Sequence, residues 1–87
     1  MIITSKSNPL IKTISSLSDK KFRKQLGLYI VEGIKSVREC IQAGAEIEKI
    51  VCTPENESVF DGAIVVSDAV FKSISDEKTP QGVLAVV

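Results

Sequence analysis

The stretch that most limits how this chain can fold is Leu28 to Gly44, LYIVEGIKSVRECIQAG. Its apolar period changes in the middle. Leu28, Tyr29, Ile30 and Val31 form an unbroken, β-prone apolar run, the pattern of a strand covered on both faces. Gly33 allows a sharp change of direction. From Ile34 the apolar residues recur at helical spacing: Ile34, Val37 and Ile41, with Cys40 beside them. Lys35, Arg38, Glu39 and Gln42 fall elsewhere on the wheel, and Gly44 supplies a stop. A strand that turns through glycine into a helix aims free backbone N–H groups and a positive dipole end outward, where an anion can sit. Lys35 and Arg38, one turn apart, add mobile positive charge there. An ordinary strand–helix junction has the same pattern.

The flanking chain repeats the alternation of strand and helix. Ile2 and Ile3 form a short strand or lie extended on the core. Ser7 or Asn8 caps a helix with Pro9 at its first position, and Leu10, Ile11, Ile14 and Leu17 follow at helical spacing. Ser18 and Asp19 restart the pattern, with Phe22 and Leu26 expected to face inward and Gly27 to end the helix. Lys20, Lys21, Arg23, Lys24 and Gln25 are left on its exposed side, with no acid after Asp19. Charged faces that only solvate a helix more often mix both signs. Further on, Ile47 to Cys52 reads as a strand, Pro54 to Phe60 as a short acidic helix, and Asp61-Gly62 as a turn. Ala63 to Val66 is a strand, Ser67 or Asp68 caps a helix with Val70, Phe71 and Ile74, and Val83 to Val87 is a last strand. Short, wholly apolar strands alternating with helices predict an α/β domain with a mainly parallel sheet covered on both sides.

Eighty-seven residues suit a single domain, residues 1–87. The chain has no apolar run near the ~20 residues that span a bilayer and no signal-peptide core, so no membrane partner and a cytoplasmic location are expected. With two distant cysteines and no histidine, no ordinary zinc site can form. Cys40 and Cys52 read as small buried hydrophobes. The formal net charge of zero hides an asymmetry. Met1 to Arg38 holds eight basic and two acidic residues, a net of +6, whereas Glu39 to Val87 holds three and nine, a net of −6. Such a division predicts that one end meets a polyanion.

Self-sufficient catalysis is not expected of these residues. The commonest general base near neutral pH is absent, as are a Gly-x-Ser-x-Gly elbow, a Walker loop and a Gly-x-Gly-x-x-Gly turn. Glu32 reads either as a functional carboxylate or as a structural acid beside a helix N-terminus.

Four local signatures, in order, resemble one family: Ser5-Lys6-Ser7-Asn8-Pro9 with Ile11-Lys12, Lys20-Lys21-Phe22-Arg23, Val31-Glu32-Gly33, and Thr79-Pro80-Gln81-Gly82. Together they look like the N-terminal substrate-binding domain of SpoU-type (TrmH-like) RNA 2′-O-ribose methyltransferases. The resemblance implies a three-layer α/β/α sandwich like that of the kink-turn-binding ribosomal proteins. It further implies a domain that grips structured RNA, ribosomal or transfer, and presents a ribose to a separate knotted domain. That second domain would bind S-adenosylmethionine and dimerise. Its motifs have no counterpart in residues 1–87, so no cofactor is expected here. The chain stops inside an apolar strand, and further protein is expected after Val87.

Carried onto this sequence, the resemblance and the charge pattern give an expected RNA-binding set. It comprises Asn8, Lys12, Lys20, Lys21, Arg23, Lys24, Gly33, Lys35, Arg38, Thr79, Gln81 and Gly82, with no catalytic or metal-binding residue. Lys20, Lys21, Arg23 and Lys24 would meet phosphates. Gly33 and the N–H groups after it would hold a phosphate with Lys35 and Arg38. Thr79 and Gln81 would bond a base edge or a 2′-hydroxyl. A rigid connector set by Pro80 and Gly82 is the other reading of that loop. Tyr29 and the three phenylalanines all lie in apolar patterns and are expected in the core, which favours recognition of RNA by shape over base stacking. Two other functions fit the sequence: a stand-alone RNA-binding protein of the kink-turn type, and a protein-interaction domain using its acidic half.

Overall fold

The computed structural model describes residues 2–78 and 80–87. In chain order the elements are β1 (Ile2–Ile3), α1 (Pro9–Ser16), α2 (Lys20–Leu26), β2 (Ile30–Glu32) and α3 (Ile34–Gln42). They continue with β3 (Lys49–Cys52), β4 (Ile64–Val66), α4 (Asp68–Ile74) and β5 (Val83–Val86). One five-stranded sheet runs β1-β4-β3-β5-β2. The β1–β4 and β3–β4 pairs are parallel, but β5 runs antiparallel to both β3 and β2. The sheet is therefore mixed, where a mainly parallel one was expected.

Side-chain alternation explains why β4 and β5 are apolar throughout and β3 is apolar after Lys49. On one face Val51, Val66, Leu84 and Val86 pack against Ile11, Ile14 and Leu17 from α1 and its end, and against Val70, Phe71 and Ile74 of α4. On the other face their neighbours Cys52, Val65, Val83 and Ala85 pack against Val37 of α3 and Phe60. Two buried faces need an apolar residue at every position, and three layers result. Burial, with the Glu57 charge adding to it, pushes the Cys52 thiol above its ordinary value. Cys40 is only half-buried.

The expected caps are present. Asn8 Oδ1 accepts from the Leu10 N–H at 2.9 Å, Asp19 Oδ1 from Lys21 N–H at 2.9 Å, and Ser67 Oγ from Val70 N–H at 3.3 Å. Each satisfies a helix N–H that has no partner inside the helix.

Several expectations fail. The Leu28–Val31 run is covered on both faces only in part: β2 is an edge strand with half-buried residues, and Leu28 and Ile30 pack against one core and Val31 against the other. Tyr29, expected in the core, is 50% exposed. Phe22 and Leu26 do not face inward either; they are 38% and 47% exposed, and α2 has no buried residue. Ile41 is exposed, so the inner stripe of α3 runs through Ile34, Val37 and Cys40. Between Pro54 and Phe60 only Pro54–Asn56 is helical, as one 3-10 turn.

Candidate nucleic-acid interface

Two neighbourhoods contain the expected binding residues. The first lies where β2 turns into α3. Gly33 has φ 99 and ψ 145, a conformation open to glycine and strained for other residues. The first helical N–H, that of Ile34, is not free for an anion: it donates to Gln81 Oε1 at 2.8 Å. A neutral side-chain amide thus caps α3. Gln81 keeps its NH₂ group for other partners, and the cap fixes which way that group points. The Gln81 backbone is fixed as well, since Asn56 Nδ2 donates to its carbonyl at 2.9 Å and to Thr53 Oγ1 at 3.0 Å.

Gly82 fills the gap behind this loop. It has φ 86, and a Cβ there would lie 2.5 Å from Thr53 Oγ1 and 2.7 Å from Asn56 Nδ2. Its role is therefore to let the loop approach β3 closely. Thr79 lies outside the described residues.

The loop and helix enclose two shallow hollows that share Lys35 and Gln81. One, of about 250 Å³, is also lined by Glu32, Gly33, Ser36 and Glu77. The other, of about 480 Å³, is lined in addition by Ile34, Arg38, Glu39 and Gln42. Gly33, Lys35 and Arg38 thus lie at one turn as expected, and Gln81, expected in a separate loop with Thr79, joins them. Arg38 also lies over the Phe60 ring, its guanidinium carbon 5.9 Å from the centroid, which limits its reach. Glu32 has a structural role: Oε1 accepts from Ser75 Oγ at 2.6 Å and Oε2 from the Asp76 N–H at 3.0 Å. Those bonds fasten the edge strand to the end of α4.

The second neighbourhood is α2. Lys20, Lys21 and Lys24 are exposed. Arg23 is not available as they are: Nη1 donates to the carbonyls of Leu17 at 2.9 Å and Ser18 at 3.0 Å. These carbonyls follow α1, where helix geometry leaves acceptors without partners. Arg23 therefore holds α2 to the body, and the three lysines carry the free charge. Lys12 is exposed on α1, and Asn8 is half-buried with its oxygen committed to the cap. Neither they nor the α2 lysines line the hollows beside α3.

Asn56 and Thr53 were not picked out from sequence, although a Thr-Pro-x-Asn stretch carries turn signals. Their partner lies some 25 residues away, at Gln81. The exposure of Phe22 and Tyr29 was also missed, because helical spacing and an apolar run resemble core patterns.

The model of the MRM3-like substrate binding domain matches residues 8–85. Among solved structures, an RNA 2′-O ribose methyltransferase shares 32% identity at a TM-score of 0.81, covering 99% of this chain and 36% of its own. An rRNA methyltransferase from Sinorhizobium meliloti shares 30% at 0.79, covering 99% and 36%, and its AdoMet-bound form scores 0.78. A protein named as a TrmH-family RNA methyltransferase, from Porphyromonas gingivalis, shares 31% at 0.75, covering 92% and 34%. No curated protein matches. The chain spans about a third of the length of the solved structures it matches. In sequence and in fold, it belongs to the MRM3-like substrate binding domains of the SpoU/TrmH RNA methyltransferases.

Proposed function

We propose that residues 1–87 form the RNA-binding, non-catalytic domain of an RNA 2′-O-ribose methyltransferase, with ribosomal or transfer RNA as the substrate. One observation carries this reading: α2 gives no side chain to the core, yet holds three exposed lysines and no acid. A helix that stabilises so little is explained by what its surface meets. RNA carries a phosphate at every nucleotide, and lysine contacts with phosphates supply the sequence-independent part of affinity. The hollow at Lys35, Arg38 and Gln81 would then receive a phosphate, a 2′-hydroxyl or a base edge, using two cations and one oriented amide. A stand-alone RNA-binding role would use the same surface.

Methyl transfer is assigned to a domain outside these residues, which would bind S-adenosylmethionine and join two copies of the enzyme. The hollows beside α3 do not fit that cofactor. They are shallow and lined mainly by charged and amide side chains, whereas a cofactor of this size needs a mostly apolar cleft that encloses it. No helix among the described residues is long and apolar enough to cross a membrane.

The test is binding of the chain to a structured ribosomal RNA transcript between about 50 and 200 mM salt, beside a variant with Lys20, Lys21 and Lys24 changed to alanine. With about 0.7–0.9 in slope for each phosphate met, the variant should lose roughly 2–3 from the slope of log K against log salt. Equal slopes for the two proteins would remove α2 from the interface. Absence of RNA binding by the unaltered chain would reject the proposal.

A further inference from the structure

We propose that the apolar flank of α2, with Tyr29 just beyond it, is a stacking surface for unpaired nucleobases. The preferred ligand would then be an RNA loop or splayed single strand bordered by paired stem, and not a continuous duplex. This rests on the RNA-binding reading above and narrows it.

Helical geometry divides α2 into two flanks. Arg23 turns toward the body, held by the Leu17 and Ser18 carbonyls. At about 100° per residue, Phe22 and Leu26 fall within roughly 100° on one side of it. Lys20 and Lys24 fall at similar angles on the other side, and Lys21 points away. Tyr29 follows within three residues of Leu26, so it begins at most about 10 Å further along the chain. Phe22, Leu26 and Tyr29 are 38%, 47% and 50% exposed; Phe22 and Leu26 share one flank of α2, and Tyr29 lines a hollow beside Arg23 and Asp76.

Charge identifies the occupant. Lys21 lies beside the apolar flank, its Nζ 5.7 Å from the centre of the Phe22 ring, Lys20 and Lys24 stand exposed on the opposite flank, and no acid occurs from Lys20 to Leu26. A matching ligand must bring flat apolar faces and negative charge at close, regular spacing. Single-stranded RNA does so at each nucleotide, with a base to lie on the ring and a phosphate to meet the lysine. In a duplex the base faces are already stacked on one another, so only unpaired bases qualify. The side-chain burial expected from sequence had excluded this mode; the exposure of both rings restores it.

The test compares an RNA hairpin with a uridine-rich loop to a fully paired duplex of its stem, with affinities read by fluorescence anisotropy. The unaltered 87-residue chain is set beside Phe22→Ala, Phe22→Leu and Tyr29→Ala. The unaltered chain should favour the hairpin. Each variant should lose about 5- to 100-fold in hairpin affinity, as expected for one stacked base, with duplex affinity and salt slope unchanged. Thermal melts check folding. Should Tyr29→Ala disturb the edge pairing with Val87, the Phe22 variants decide, because that side chain supports no core. Hairpin binding undiminished in Phe22→Ala, retained in Phe22→Leu, or matched by duplex binding would overturn stacking while leaving the RNA reading intact. No salt-dependent binding to either RNA would end both.

Discussion

Helices α1 and α2 are neighbours in sequence, similar in length, and opened by the same kind of side-chain cap, yet they are held to the domain in different ways. α1 buries Ile11 and Ile14 almost completely, followed by Leu17 at its end. α2 buries nothing and depends on Asp19, on Arg23 and on its two chain connections. Burying an aliphatic side chain contributes roughly 1.5–3 kcal/mol, so α1 is anchored several times more firmly than a cap and a charged hydrogen bond can anchor α2. The lesson is that helical spacing of apolar residues shows that a helix has a face, not what that face meets. In α1 it meets the sheet. In α2 it meets solvent, and in our reading RNA.

The largest effect that could break this contrast is on stability. Ile14→Ala should cost about 2–5 kcal/mol, lowering the thermal midpoint by 10 °C or more in a domain of this size. Leu26→Ala, at an exposed position, should stay within about 0.5–1 kcal/mol. Equal losses in urea unfolding would mean that α2 is packed after all. A smaller effect is expected at Arg23. Arg23→Ala frees the carbonyls of Leu17 and Ser18 and should cost about 1 kcal/mol, with raised amide hydrogen exchange confined to α2. Lysine should restore part of it, because a single nitrogen, Nη1, reaches both carbonyls and an ammonium carries three donors. If exchange rises throughout the sheet instead, α2 and the core form one cooperative unit. The caps sharpen the comparison further. Asn8→Ala and Asp19→Ala each remove a similar bond worth about 0.5–2 kcal/mol, but only the first should lower the global midpoint clearly. The smallest effect separates the two surfaces: Lys21→Ala should reduce the salt slope of RNA binding by under about 1, and Lys12→Ala by less. A larger change at Lys12 would move the interface onto α1.

How much of this could be read beforehand followed the range of the interactions. Asn8, Asp19 and Ser67 were legible as caps or one of two candidates, because a cap joins residues two or three apart. The strands Ile64–Val66 and Val83–Val86 were legible too, since burial on both faces leaves no polar position, and β3, read as Ile47 to Cys52, forms over Lys49–Cys52. What stayed hidden depended on pairing at a distance. Nothing in Leu28–Val31 marks it as an edge strand, a fact set by β5 pairing on one side only. Nor does local sequence reveal that Gln81 caps a helix 47 residues earlier, so an amide expected to bond a base edge or a 2′-hydroxyl has its oxygen already engaged. Glu32 left two readings open, and its bonds to Ser75 and Asp76 decide for the structural one.

The place of β5 in the sheet also has a kinetic consequence. It comes last among the strands in sequence, yet it lies between β3 and β2 and gives β2 its sheet partner. While the chain is being synthesised, residues up to Gly82 can assemble only the β1-β4-β3 half of the sheet. The edge strand β2 waits, tethered but unpaired, until Val83 to Val86 emerge, whereas the bonds of Asp19 and Arg23 that hold α2 are local and form without β5. Completion of the fold is therefore a late, single closure joining segments that are more than fifty residues apart, the kind of non-local step that slows folding.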